Sequence, residues 1–337
     1  MMTRLIAGGY AGPGARGLYP LEPTADGVLR VGDPVAPVVN VSAGVALPGS
    51  GRWFVVDEAA AHIHLLDATS GWLSLASFAS GGVDPCHLAL SGAGDLLAVA
   101  NYGDGVVALF RLDPETNRPL GAPSIHRNAG SGPNPERQAG PHAHWVGFGP
   151  NDVLYVVDLG IDRILKFHPQ GGVLGEATLA HVAPSGSGPR QLVFHPTRPM
   201  AYLLSELAST LTVLRVSGGG LTAERSFSML PAGTQTESLG GAIALNAEGT
   251  RLYASNRGHD SVATFALDAV GNVTPLGHTP TGGQSPRFLL LSDDHLLVAH
   301  EQAGGVTLLP LDADGLPQSS TARADVPAAC FLGVLSA

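Results

Sequence analysis

The feature that most constrains this chain is a short pattern that recurs from one end to the other. In LYASNRGHDSVATF (252–265) an apolar run ends in a polar connection and a second apolar run returns, which reads as a β-hairpin. Related copies are FVVDEAAAHIHLL (54–66), AVANYGDGVVALF (98–110), YVVDLGIDRILKF (155–167), YLLSELASTLTVL (202–214) and LVAHEQAGGVTLL (297–309), with a degenerate copy in LIAGGYAGPGARGLY (5–19). The residues closing the first strand of each hairpin are Gly9, Asp57, Asn101, Asp158, Ser205, Asn256 and His300, at steps of 48, 44, 57, 47, 51 and 44 residues. A repeat of about 40–50 residues built from short strands predicts a β-propeller with one blade per repeat. The expected fold is therefore all-β, a seven-bladed β-propeller occupying residues 1–337 as a single domain.

Each later repeat opens with an apolar innermost strand, at 42–47, 84–90, 140–148, 186–194, 238–245 and 283–291. The first hairpin, Leu5 to Tyr19, lacks one, and VPAACFLG (326–333) at the other end of the chain is expected to supply it. Joining both termini in one blade closes the ring and leaves no free sheet edge.

Composition agrees with many short strands and tight turns: Gly 45, Pro 26, 14% charged and 44% hydrophobic residues. A net charge of −10, with Lys166 the only lysine, argues against nucleic acid or an anionic membrane as partner and requires any anion site to use arginine. Cys86 and Cys330 are too few and too far apart for a disulfide framework. No stretch approaches the roughly 18 apolar residues of a membrane span. A soluble, cytoplasmic protein with no cofactor is the expectation.

Antiparallel pairing puts the start of each innermost strand and the end of the next strand at one end of the blade. That rim collects Cys86, His144, Arg190, Gly241 and Arg287 from strand starts, and Glu58, Tyr102, Leu159, Glu206, Arg257 and Glu301 from positions after the markers. One His, three Arg and three Glu are thereby expected in one mouth. The longest step contains an insertion, Pro114 to Gly140, carrying His126, Arg127 and Arg137, which reads as a lid or wall over that mouth or, equally, as a disordered segment.

Arginine grips carboxylate or phosphate through paired hydrogen bonds, histidine exchanges a proton near neutrality, and a carboxylate orients either. His144, Arg190, Glu206 and Arg257 are accordingly the candidate catalytic group, the alternative being structural ion pairs in a solvated channel. His142 and His144, at i and i+2, share a strand face as a metal pair would, but no third ligand accompanies them. His62 and His64 have the same spacing in the outer half of a hairpin and read as a solvated face. Asp162, Ser209 and Asp260 recur four residues after their markers and are expected to fix the hairpin turns through local hydrogen bonds, with His259 structural beside them. Cys86 reads as a small buried residue.

The stretches GPHAHW, GPRQLVFHP, SELAST, YASNRGHDSV and PTGGQSPR, with the closing VPAACF, resemble the seven-bladed propeller lactonase family, which includes propeller-type 6-phosphogluconolactonases and carboxy-cis,cis-muconate lactonising enzymes. The resemblance implies that His144, Arg190, Glu206 and Arg257 correspond to the polar cluster proposed for catalysis in the muconate enzymes. The chain departs from the family pattern at Ala242, where an acidic residue is frequent, and at Ser205 and His300, where Asn is usual. The expected function is hydrolysis of an anionic sugar lactone such as 6-phosphogluconolactone, with His144 as general base, Arg190 and Arg257 holding the anion or oxyanion, and Glu206 positioning an arginine. Arg287, Glu58, Glu301 and His142 are the expected substrate contacts. The alternatives are a muconate-type cycloisomerase, using Arg287 for a second carboxylate, and a non-catalytic propeller serving as a binding platform.

Overall fold

The computed structural model describes residues 4–24, 28–292, 294–302 and 305–335. Among these residues lie seven four-stranded antiparallel sheets, one for each repeat. Six run in chain order from the innermost strand outwards: the sheets beginning at Gly44–Ala46, Pro85–Leu90, Ala143–Phe148, Pro189–Phe194, Leu239–Leu245 and Pro286–Ser292. The seventh joins the two ends of the chain, in the order Ala329–Leu335, Arg4–Gly9, Tyr19–Pro23, Leu29–Val31. Arg4 pairs with Leu335 and Gly8 with Phe331, so the closing strand is the one expected from the sequence. The first repeat is looser than a hairpin, because its returning strand begins only at Tyr19.

The chain divides into two compact units. One comprises residues 1–39, 193–215 and 223–337; the other comprises 40–192 and 216–222. In the second unit, Phe54, Val56, Ile63 and Leu65 pack with Leu97, Val99, Ala108 and Phe110 in one core cluster. In the first unit, Leu5, Ala7, Tyr19 and Leu21 pack with Leu297, Ala299, Val306 and Leu308. Sheets that contribute to a core from both faces need continuous apolar runs, not alternation. LLAVAN (Leu96–Asn101), LYVVD (Leu154–Asp158) and MAYLLS (Met200–Ser205) are such runs, and nearly all of their residues are buried. The outermost strands, such as Leu73–Ala79, are mostly exposed.

One expectation is corrected and another is extended. The Pro114 to Gly140 insertion is not a free lid: Ser124–Arg127 is the outermost strand of its sheet, paired residue by residue with Val106 to Leu109. His126 packs edge-on against Phe167 and Arg127 reaches Asp104 at 3.3 Å, so neither belongs to a mouth. A four-residue strand with one strongly apolar side chain leaves no periodic signal to read. Asp162, Ser209 and Asp260 adopt the left-handed turn conformation and Asp260 accepts locally from the Gly258 N–H, but the three side chains also reach beyond their own turns. Asp162 accepts from the N–H groups of Gly186 and Gly188, Asp260 from that of Ser285, and Ser209 donates to the carbonyl of Ser238. Each turn thus ties down the segment that feeds the following innermost strand.

Candidate functional site

The expected rim rests on one pairing relation within each sheet. Pro85 pairs with Asn101, Ala143 with Asp158, Leu239 with Arg257 and Pro286 with His300, so strand starts do lie beside the ends of the following strands. The register also shifts at each of these starts. The bulged positions include Cys86, His144 and Arg287, and one covers Gly241 and Ala242. A bulge adds a residue on one strand and re-aims its side chain, which the alternation of a regular strand could not do. At Gly241 the same slot has no room: a Cβ there would lie 2.3 Å from the Pro286 carbonyl oxygen and 2.5 Å from Ser255 Oγ. Ala242 is 4% exposed among apolar neighbours and its N–H donates to Ser255 Oγ, which leaves a carboxylate there without water.

Within the second unit, His144 and Arg190 are buried and in contact, with Arg190 Nη1 2.5 Å from His144 Nε2. A guanidinium can only donate, so Nε2 accepts and the imidazole is neutral with its proton on Nδ1. The lone pair expected to take a proton from water is therefore already engaged. Beside this pair stands Tyr102, whose ring lies edge-on to His144 at 5.5 Å and is stacked on His142 at 4.4 Å. The Tyr102 hydroxyl accepts from Arg137 Nη2 at 3.3 Å. His142 Nδ1 lies 2.7 Å from the Tyr102 carbonyl oxygen, and its backbone N–H donates to Asp158 Oδ1 at 2.8 Å. Asp158, whose carboxyl burial pushes above the usual range, also accepts from Asn128 and from the N–H groups of Gly160 and Ile161. Gln138 completes the loop by donating to the Leu159 carbonyl. Glu58 is half-buried after Asp57, with its N–H donating to Asn40. Cys86 Sγ faces the carbonyls of Ala143 and His144 and is enclosed.

Within the first unit, Arg257 Nη2 is 2.7 Å from Glu206 Oε2 and 3.0 Å from the Gly240 carbonyl oxygen. Glu206 is in turn fixed by the Gly240 N–H, which donates to its carbonyl. Glu301 sits between two arginines, 4.0 Å from Arg257 and 3.5 Å from Arg287, and accepts from Ser285 Oγ. Arg287 also lies over the ring of Tyr10, 5.6 Å from its centroid. Arg257, Glu301, Ser285, Ser238, Glu237 and Leu207 border a cavity of about 520 Å³. A larger cavity of about 900 Å³ lies among the turns near Asn246 and Asp312 and carries Glu248, Asp294, Asp312 and Asp314 against Arg251 alone, an environment that repels anions.

The structure thus brings His144 together with Arg190 and Glu206 together with Arg257, and joins Glu301 and Arg287 to the second pair. Tyr102 was on the expected rim, but only its contacts reveal it as the surface against which both histidines pack. The His142–His144 pair does not share a strand face, because His142 precedes the strand and His144 occupies its bulge. Among the described residues no group of three His, Cys, Asp or Glu could hold a metal ion.

A model of the family described as Lactonase, 7-bladed beta-propeller, matches residues 4–333. The 6-phosphogluconolactonase of Bacillus subtilis is 32% identical over 240 residues, covering 69% of this chain and 68% of that protein. An uncharacterised protein of Lactococcus lactis is 30% identical over 332 residues, 93% of each chain. Among solved structures, the periplasmic gluconolactonase of Pseudomonas aeruginosa superposes with a TM-score of 0.89 at 25% identity, covering 100% of this chain and 99% of its own. No helix among the described residues is long and apolar enough to cross a membrane.

Proposed function

Since the chain belongs to the seven-bladed β-propeller lactonase family, we propose that it hydrolyses an anionic sugar lactone of the 6-phosphogluconolactone kind. The observation that supports this most is the pair of fixed guanidinium groups. Arg190 is held by His144, and Arg257 by Glu206 and the Gly240 carbonyl. Arg190 stands at a strand start and Arg257 at a strand end, the two kinds of position at which the repeat places polar residues.

Opening a lactone requires removal of a proton from water, stabilisation of the oxyanion that forms at the ring carbonyl, and an anchor for the rest of the sugar. Arginines that are already oriented stabilise developing negative charge without reorganisation, a contribution of about 10²–10³-fold per donor. In this reading Arg190 and Arg257 bind the anion or the oxyanion, Glu206 positions Arg257, and an imidazole of the His142–His144 pair receives the proton. The cycloisomerase alternative would use Arg287, which lies 3.5 Å from Glu301 and over the ring of Tyr10, for a second carboxylate.

One observation favours a second substrate within the same reaction. Arg257 and Arg287 are matched by Glu206 and Glu301, so these four side chains sum to no net charge. A dianionic phosphate gains less there than at unmatched arginines, which favours an unphosphorylated gluconolactone. The test is turnover of freshly prepared 6-phosphogluconolactone and of glucono-δ-lactone, each corrected for spontaneous hydrolysis. A higher kcat/KM for the phosphorylated lactone that declines with salt supports the anionic substrate. The reverse order supports the neutral one, and no turnover by folded protein leaves the binding platform.

A further inference from the structure

We infer that His142, not His144, is the proton acceptor in lactone hydrolysis, with the Tyr102 carbonyl as its orienting group; this rests on the lactonase reading above. A general base needs a neutral imidazole with one nitrogen bare and a second group fixing the tautomer. His142 has the geometry for both. Its Nδ1 lies 2.7 Å from the Tyr102 carbonyl oxygen, which can only accept, so Nδ1 carries a proton and the neutral ring has its lone pair on Nε2. Among the described residues no protein group engages that Nε2, and the side chain is half-buried, open to a water molecule.

The orientation is rigid. The His142 ring is stacked on Tyr102 with 18° between the planes, and its backbone is held on both sides. The N–H donates to Asp158 and the carbonyl accepts from the Leu159 N–H at 2.9 Å. His144 is placed for a different task. With Nε2 taken by Arg190, it cannot accept a proton without releasing that contact, and a protonated His144 would face a guanidinium at 2.5 Å. His144 is thus a positioning residue for Arg190, and both imidazoles pack against the ring of Tyr102.

The step balances without a further reactant. His142 Nε2 removes a proton from water as the water oxygen bonds to the lactone carbonyl carbon, and the carbonyl π pair moves to its oxygen. When the tetrahedral alkoxide collapses, the ring carbon–oxygen bond breaks, and the departing ring oxygen takes the proton back from Nε2. The product is the open hydroxy acid, whose carboxyl proton is lost to solvent.

The experiment compares wild type, His142→Ala and His144→Gln on whichever lactone the wild type turns over, across pH. We expect His142→Ala to lower kcat about 10²–10⁴-fold with KM little changed, to abolish the acidic limb of the kcat/KM profile, and to be partly rescued by added imidazole. His144→Gln, whose amide oxygen still accepts from Arg190, is expected to keep the acidic limb. A His142→Ala enzyme that keeps the limb, or a His144→Gln enzyme that loses it, overturns the assignment. Nitrogen NMR of the imidazoles in the intact wild type gives a check that needs no variant: His142 is expected as the Nδ1–H tautomer, and a resting Nε2–H form contradicts the proposal. A wild type inactive on both lactones removes the reaction and this inference with it, whereas an active wild type indifferent to His142 removes the inference alone.

Discussion

Glu206 and Arg257 occupy the same position in successive repeats, each one residue after its hairpin marker, and they meet at 2.7 Å with Glu206 only 1% exposed. One repeat supplies a buried carboxylate and the next supplies the guanidinium that neutralises it. A buried charge that loses its partner is costly, so the pair is a structural necessity as well as a candidate catalytic device.

Glu206→Ala should therefore lower stability by about 3–5 kcal/mol in urea unfolding, since it leaves Arg257 without its main partner. Arg257→Lys keeps the charge but not the planar fork, and should cost little stability while lowering lactone kcat/KM by about tenfold or more. Equal losses of stability in both variants would show that the pair serves the fold alone.

Gly241 fills the slot that holds His144 and Arg287 in other repeats, yet a Cβ there would lie 2.3 Å from a backbone oxygen. Gly241→Ala should destabilise the protein by about 1–3 kcal/mol, because the obstructing atom belongs to the backbone of Pro286 and cannot rotate away. Thermal unfolding measures this directly, and an unchanged midpoint would mean that the two strands separate easily.

Acid should destabilise the fold through two histidines. His87 and His300 are both pushed down to about 4, chiefly by burial, with Arg190 adding to the effect at His87 and Asp260 opposing it at His300. Their unfolded counterparts titrate near 6.5, so stability is complete above that pH and is lost as pH falls towards 4. The loss is about 3 kcal/mol for each. His300→Asn, which restores the residue found at Asn101 and Asn256, should make the dependence of urea unfolding on pH shallower between 7 and 4.5. An unchanged slope would rule His300 out as a source.

Deleting residues 326–337 should unfold the chain and not merely trim it. The Ala329–Leu335 strand is the partner of Arg4–Gly9, and Ala329 and Leu332 lie in the same core cluster as Leu5 and Leu297. Circular dichroism and size exclusion would report the loss, and a compact, cooperatively unfolding truncation would refute it.

The repeat was legible because residues buried on both faces form uninterrupted apolar runs, and these mark each hairpin at a nearly constant step. The closing strand was legible for the same reason, through VPAACFLG. The bulges at Cys86, His144 and Arg287 were not, since a register shift is a property of two paired strands and leaves no mark in either. Ser124–Arg127 was lost in an apparent insertion because an exposed outer strand has no apolar face to advertise it. Arg190 and Arg257 could be named as candidate residues from their places in the repeat, but their partners could not all be foreseen. That His144 engages Arg190, and that Glu301 bridges Arg257 and Arg287, depends on side-chain direction beyond what strand alternation predicts.

The central claim is lactone hydrolysis dependent on the fixed arginines, and its most direct test is the corrected rate on 6-phosphogluconolactone and glucono-δ-lactone for wild type, Arg190→Ala and Arg257→Ala. Wild-type turnover of at least one lactone well above the spontaneous rate is expected, with either substitution lowering it by about 10²-fold or more in protein that remains folded. Folded wild-type protein with no rate above background on either lactone, or arginine variants as active as the wild type, would contradict it.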